Sequence, residues 1–322
     1  MALLRAGELV AFPTETVYGL GADASNPAAV AKIFAAKGRP ADHPVIVHLP
    51  AAEQLDAWAR VVPDAARQLA AAFWPGPLTL ILKRRPRVPD AVTGGQDTVG
   101  LRVPNHPLAL DLLRAFEGGL AAPSANRFGR ISPTSAAHVR DELGTAVALV
   151  LDGGPCRVGI ESTIVDCSRE RPAILRPGMI GAAEIGRALG IDRLAEAAAD
   201  RPRVSGALES HYAPAAPLRL LAGGEIEREL RLALRRGERV AVLAFDAPCL
   251  IDERLQWRMA APDSATYARE LYAALRTLDG ACADLILVEA PPQGAQWLAI
   301  ADRLARAAGG AGIASETRPC SP

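Results

Sequence analysis

Short apolar runs alternate with stretches of helical spacing along most of this chain. The uncharged run Leu9-Val10-Ala11-Phe12 predicts a buried strand, and it leads directly into hydroxyls, a carboxylate and two glycines over residues 13–21. Asn26-Pro27 predicts a helix start, because Pro suits the first helical position. Val30, Ile33 and Phe34 then share one face, and Gly38 can end the helix at positive φ. Val45–Leu49 predicts the next strand. Helical spacing covers 51–73, Trp74-Pro75-Gly76-Pro77 interrupts it, and Leu78–Leu82 predicts another strand. Further strands are predicted at 98–103, 119–122, 147–151, 162–166 and 173–176, and helices at 107–116, 134–143 and 182–189. Several neighbouring strands have no helix between them, which argues for a mixed rather than purely parallel sheet.

The pattern weakens from 191 to 217, where Pro-spaced segments such as His211-Tyr212-Ala213-Pro214 predict a semi-rigid linker. Its length exceeds an ordinary connection within a compact domain, which hints at function. Beyond it, strands at Leu218–Leu221, Val240–Phe245 and Leu285–Glu289 alternate with helices at 225–236, 264–278 and 295–308. That alternation predicts a small parallel α/β, Rossmann-like domain, without a glycine-rich phosphate fingerprint. The expected division is therefore 1–190, a linker or lid at 191–217, and 218–322, in keeping with a length of 322 residues.

Half of the residues are hydrophobic and the formal net charge is zero, so a chain-wide basic footprint for nucleic acid is absent and any cationic site is local. The five cysteines form no CxxC pair, which argues against a zinc site or a secreted disulfide framework. No signal peptide and no run of roughly 18 apolar residues appears, so a cytoplasmic protein with no membrane span is expected. Lysine is rare: Lys32, Lys37 and Lys83 are the only three, in a chain rich in arginine. A lysine is a compact point charge and an arginine a planar fork, so each surviving lysine draws notice.

Lys37 and Arg39 flank the predicted helix end and could clamp phosphate oxygens; the alternative is a solvated helix terminus, where cations also suit the dipole. Pro123-Ser124-Ala125-Asn126 follows an apolar strand end, with Arg127, Arg130 and Ser132 close behind. It reads either as a ligand-binding loop or as a plain Ser/Asn turn. Arg102 lies inside the apolar run 98–103 and needs a partner if buried, whether a structural carboxylate or a ligand's. His48 lies in another strand, where a satisfied core histidine is the commoner outcome. Glu161-Ser162-Thr163 and Arg176-Pro177-Gly178 sit at further strand ends. No Walker A sequence, Ser-His-Asp order, nucleophile elbow or metal-ligand cluster is visible. Cations and hydroxyls at strand ends without a nucleophile fit catalysis by positioning and charge neutralisation, as in transfer at phosphorus.

The ordered motifs Phe12–Gly21, Lys37–Pro40, Pro44–His48, Trp74–Thr79, Gly100–Pro104, Ala122–Asn126, Ser132–Pro133, Glu161–Asp166 and Leu175–Gly178 resemble those of the YrdC-type threonylcarbamoyl-AMP synthases. The match runs from residue 7 to about 180, and the His211-Tyr212-Ala213-Pro214 segment with the α/β region after it looks like the long, two-domain form. The resemblance implies a twisted mixed-sheet α/β first domain with a concave cationic site. It also implies a reaction of L-threonine, bicarbonate or CO2, and ATP to threonylcarbamoyl-AMP and pyrophosphate. The product would pass to transferase proteins that modify tRNA.

Carried over by position, Thr16, His48, Arg102, Ala122 and Ser162 would line the threonine pocket, with Arg102 on the amino-acid carboxylate. Lys37, Arg39, His43, Thr98, Ser124, Asn126, Ser132 and Arg176 would surround ATP, with Lys37 and Arg39 as the catalytic phosphate clamp. His211 and Tyr212 would fold over ATP as a lid. Mg²⁺ would arrive on ATP's own phosphates, without a protein metal site. Three departures stand out. Leu3 to Gly7 looks like the end of a longer helix, position 43 is His where Asn is common, and Ser205–Ser210 lacks the linker's usual Pro and basic residue. A YrdC-like RNA-binding module is the competing reading; neutral charge and sparse aromatics argue against it.

Overall fold

The structure is a computed structural model that describes residues 1–206 and 211–309. The chain divides into two compact units, residues 1–128 with 132–207 and residues 129–131 with 208–322. The division falls inside the stretch expected to be the linker.

In the first unit the strands are β1 (Val10–Phe12), β2 (Gly19–Asp23), β3 (Ile46–His48), β4 (Leu78–Lys83), β5 (Thr98–Arg102), β6 (Leu120–Ala121), β7 (Leu149–Val150), β8 (Thr163–Asp166) and β9 (Ala173–Arg176). They form one mixed sheet in the order β7-β1-β2-β6-β3-β5-β4-β8-β9. The pairs β1–β7, β3–β5 and β4–β8 are parallel, and the remaining pairs are antiparallel. The helices are α1 (Ala2–Arg5), α2 (Pro27–Lys37), α3 (Leu55–Trp58), α4 (Asp64–Phe73), α5 (Asp90–Thr93), α6 (Pro107–Phe116), α7 (Ala136–Leu143) and α8 (Ala182–Leu189). The main core joins Leu20, Val47, Leu80, Leu101 and Val165 of the sheet to Val30, Ile33 and Leu69 of the helices.

Two elements decide where the site lies. Helix α2 begins as its sequence predicts: the Asn26 side chain accepts hydrogen bonds from the Ala28 and Ala29 amides, and Pro27 takes the first helical position. Gly38 then adopts φ 61°, turning the chain so that Lys37 and Arg39 follow each other around a left-handed corner. Strand β2 was not expected, because glycine weakens a strand signal. Its glycines answer to packing. A Cβ on Gly21 would lie 2.7 Å from the Phe12 ring, so Phe12 occupies the space that side chains would need. The helical stretch expected over 51–73 is in fact broken: a short 3-10 turn and α3 end at Ala59, where extended backbone intervenes before α4.

The second unit has strands β10 (Leu218–Leu221), β11 (Val240–Ala244), β12 (Leu255–Met259) and β13 (Leu285–Glu289), with helices α9 (Gly223–Arg235), α10 (Ser264–Asp279) and α11 (Leu298–Gly309). Its sheet is all-parallel, in the order β10-β13-β11-β12. The edge strand β12 escaped the sequence reading: Leu-Gln-Trp-Arg-Met is half-buried and carries no β-branched residue. Cys156, Cys167 and Cys249 are free thiols, and Cys282 is disulfide-bonded. Among the described residues no helix is long and apolar enough to cross a membrane.

The α2 cap gives a direct test. Asn26→Ala removes the acceptor for two amides and is expected to lower unfolding free energy by about 1 kcal/mol, read from urea melts. An unchanged midpoint would show that the cap does not hold the Lys37 helix.

Candidate functional site

Strand β1 ends in a turn tied by one hydroxyl. Thr14 Oγ1 donates to the Val17 carbonyl at 2.7 Å and accepts from the Thr16 and Val17 amides at 3.2 Å. This turn fixes Glu15 and Thr16 with both side chains buried. Arg102, at the end of β5, meets them there. Its Nη1 donates to Thr16 Oγ1 at 3.0 Å, and its Nε donates to the Gly76 carbonyl at 3.2 Å. Its Nη2 lies 2.7 Å from Glu15 Oε1, a contact of charge whose angle is not that of a hydrogen bond. Glu15 Oε2 accepts the Asn105 amide at 2.9 Å. The sequence pattern points to Arg102 and Thr16 but not to Glu15, which stands between Thr14 and Thr16.

His48 stands opposite Arg102 in the β3–β5 register. Its ring meets Phe12 edge-on at 5.9 Å. Burial first, and the Arg102 charge second, push its pKa down to about 3, so the imidazole is neutral at pH 7. Ala122 follows β6 and donates its amide to the Ile46 carbonyl, which places its backbone beside β3. Cys156 is no nucleophile: burial, with Glu15 nearby, pushes its thiol up to about 12.

A second cluster forms where β8 and β9 meet. Ser162 Oγ and Thr79 Oγ1 share a hydrogen bond of 2.8 Å. Arg176 donates from Nε and Nη2 to the Ser162 carbonyl at 3.1 and 2.9 Å, and from Nη1 to the Ser205 carbonyl at 2.7 Å. Ser205 in turn ties in Arg39, whose Nη2 donates to Ser205 Oγ at 3.2 Å and to the Pro44 carbonyl at 2.8 Å. The part of the expected linker before residue 207 thus packs within the first unit and joins two candidate phosphate arginines. Arg203 supports that segment, with its amide donating to Gln96 at 2.7 Å and its guanidinium paired to Asp42 at 3.2 Å.

Lys37 is 3% exposed, not the solvated helix end that position alone allowed. Its Nζ donates to the carbonyls of Ser124 and Asn126. Burial first, and the Arg39 charge second, hold its pKa well below the usual lysine range. His43 also has a lowered pKa, from burial and then from Arg39, and its ring meets Phe128 edge-on at 5.4 Å. Ser132 Oγ donates to Glu161 at 2.5 Å, next in sequence to Ser162. Thr98 is buried at the far end of β5 from Arg102, and among the described residues no side-chain hydrogen bond ties it to the others.

His211 and Tyr212 belong with the second unit. Their rings meet at 4.1 Å, Tyr212 stacks on Tyr272 at 5.6 Å, and the Arg303 guanidinium sits 5.4 Å from the Tyr212 ring. Among the described residues no group of three or more His, Cys, Asp and Glu side chains could hold a metal ion.

The His48 environment sets a pH dependence. Its folded pKa lies below its unfolded value near 6.5, so the unfolded state takes up the proton first and stability falls as pH drops through 6.5 towards 3. Between pH 7.5 and 5.5 the wild type is expected to lose about 1.4 kcal/mol relative to His48→Asn in parallel urea melts. Parallel curves for the two proteins would place His48 in contact with water.

The Sua5/YciO/YrdC family model, described as telomere recombination, matches residues 2–178, and one described as threonylcarbamoyl-AMP synthase, C-terminal domain, matches 180–309. A curated relative from Pyrococcus abyssi, named threonylcarbamoyl-AMP synthase, is 41% identical across 95% of this chain and 92% of its own length. One of the same name from Bacillus subtilis is 43% identical across 96% and 92%. The crystal structure of P. abyssi Sua5 complexed with L-threonine superposes with a TM-score of 0.89 at 39% identity, covering 96% of this chain and 93% of that one. The chain is therefore an enzyme of the nucleotidyltransferase kind and belongs to the threonylcarbamoyl-AMP synthase family.

Proposed function

We propose that the protein condenses L-threonine, bicarbonate or CO2, and ATP into L-threonylcarbamoyl-AMP and pyrophosphate. The observation that carries this reading is the set of four cations, Lys37, Arg39, Arg102 and Arg176, each less than a tenth exposed, at strand and helix ends of one unit. The relative crystallised with L-threonine supports threonine as the amino acid. Arg102 takes the threonine carboxylate, and Thr16, neutral His48, the Ala122 backbone and Ser162 shape the rest of the pocket. Lys37, Arg39 and Arg176 neutralise the phosphates, with His43, Thr98, Ser124, Asn126 and Ser132 around the nucleotide.

In the first step the unprotonated threonine nitrogen attacks the carbon of CO2. A C–N bond forms and one N–H proton leaves to solvent, giving the carbamate. A carbamate oxygen then attacks the α-phosphorus, and the bond to the β-phosphate oxygen breaks with its electron pair leaving on pyrophosphate. The side chains form no covalent bond; they orient the reactants and lower the cost of bringing anions together. Carbamate is unstable in water, so closure by His211 and Tyr212 protects it. Mg²⁺ bound through ATP's own phosphates would add positive charge beside Lys37, Arg39 and Arg176. The adenylate then serves transferases that modify tRNA in the cytoplasm.

Purified protein is expected to release pyrophosphate from ATP only when threonine and bicarbonate are both present, with the adenylate seen by mass spectrometry. Pyrophosphate release without threonine would overturn the assignment. Lys37→Ala is expected to lower turnover by about 10²-fold with the fold intact by circular dichroism. Full activity in that variant would remove Lys37 from the site.

A further inference from the structure

The proposed chemistry draws on the second unit only for His211 and Tyr212, yet that unit also grips a piece of chain from between two candidate nucleotide residues. Residues 129–131 pack with the second unit, although the residues before and after them belong to the first. Asn126 lies three positions upstream and Ser132 directly follows. The grip has several points. Arg130 Nη2 meets Asp279 Oδ2 at 3.2 Å, Arg276 donates to the Ile131 carbonyl, and the Ala213 amide donates to the Gly129 carbonyl at 2.8 Å. Arg130 and Ala213 also pair as a parallel bridge.

Asp279 holds the other segment too. Its Oδ1 accepts the amides of Ala215 and Ala216 at 2.8 and 2.9 Å. One carboxylate therefore closes on the chain just after His211-Tyr212 and on the chain just before Ser132. Its location is unfavourable for the helix itself. Asp279 is the last residue of α10, where the helix dipole disfavours negative charge. Such a local conflict points to a role beyond the helix. The His-Tyr pair is also held firmly: Tyr212 is 1% exposed and adopts φ 63°, which a bulky residue keeps only where its surroundings enforce it.

We propose that Asp279 is a positioning residue that makes segments 129–131 and 211–216 a single body, so that ATP binding along Ser124–Ser132 also sets His211 and Tyr212. The second unit is then the part that couples nucleotide to lid. This inference rests on the reading that Ser124, Asn126 and Ser132 face ATP.

Amide hydrogen exchange on the full chain, with and without ATP, tests it. In the wild type ATP is expected to slow exchange within both 124–132 and 211–216. In Asp279→Ala it still slows the amides of 124–126, but the ATP-dependent slowing within 211–216 falls at least about tenfold. The ATP KM rises about tenfold while the threonine KM stays within about twofold. Asp279→Asn, which keeps an acceptor and loses the charge, lies between. Arg130→Ala removes one arm only and decides by the same criterion if Asp279→Ala does not fold. Equal ATP-dependent slowing within 211–216 in wild type and variant would overturn the coupling. Absence of slowing anywhere in wild-type 124–132 would instead overturn the nucleotide reading, and this inference with it.

Discussion

Burying positive charge is the constraint on which the first unit is built. Lys37, Arg39, Arg102 and Arg176 are each kept from water, and every donor they bring needs an acceptor. Backbone carbonyls supply many of them: Ser124 and Asn126 for Lys37, Pro44 for Arg39, Gly76 for Arg102, and Ser162 and Ser205 for Arg176. A carbonyl satisfies an N–H group and leaves the formal charge in place. A carboxylate would satisfy the donor and cancel the charge as well. Where a carbonyl is the acceptor, the positive charge is left to act on an anion, in a chain whose net charge is zero. Strand ends are where such carbonyls are free of the ladder, which is why the mixed sheet gathers the site there.

Arg102 also has a carboxylate beside it, with Glu15 at 2.7 Å. A buried pair of this kind repays its desolvation only with good geometry and added hydrogen bonds. Here Asn105 supplies a bond to Glu15, and Thr16 and Gly76 supply bonds to Arg102. Arg102 is thereby aimed in advance, at the cost of part of its field. Neutral His48 across the register adds no competing charge. Preorganisation of this sort matters most for the smaller ligand, which has few groups by which to fix its own orientation.

Local signals made much of this legible. Helices α6 and α8 begin and end where their apolar spacing says, and α2 carries both its cap residues in sequence. Hidden features are those whose cause lies far away along the chain. Strand β2 depends on the Phe12 ring filling the space beside Gly21, and Glu15 owes its place to an arginine on a distant strand. Ser205 lies in a weakly patterned stretch of sequence, yet it bonds to Arg39 across 166 positions. Residues 129–131 carry no pattern that would assign them to the second unit; Asp279, Arg276 and Ala213 do so. Spacing reports neighbours within an element, and it is silent on which loops meet.

The scarcity of lysine can now be read against these contacts. Arg39 and Arg176 each reach two acceptors on different segments, which suits a planar fork. Lys37 instead points one compact ammonium at two carbonyls, Ser124 and Asn126, two positions apart on a single loop. Arginine is bulkier and keeps its proton in any setting, whereas burial and Arg39 move the lysine pKa well down. An arriving phosphate acts in the opposite direction, raising the lysine pKa by favouring the ammonium. A fixed arginine charge would offer no such response. Position 37 is thus a place where a chain otherwise rich in arginine has a physical reason to keep lysine.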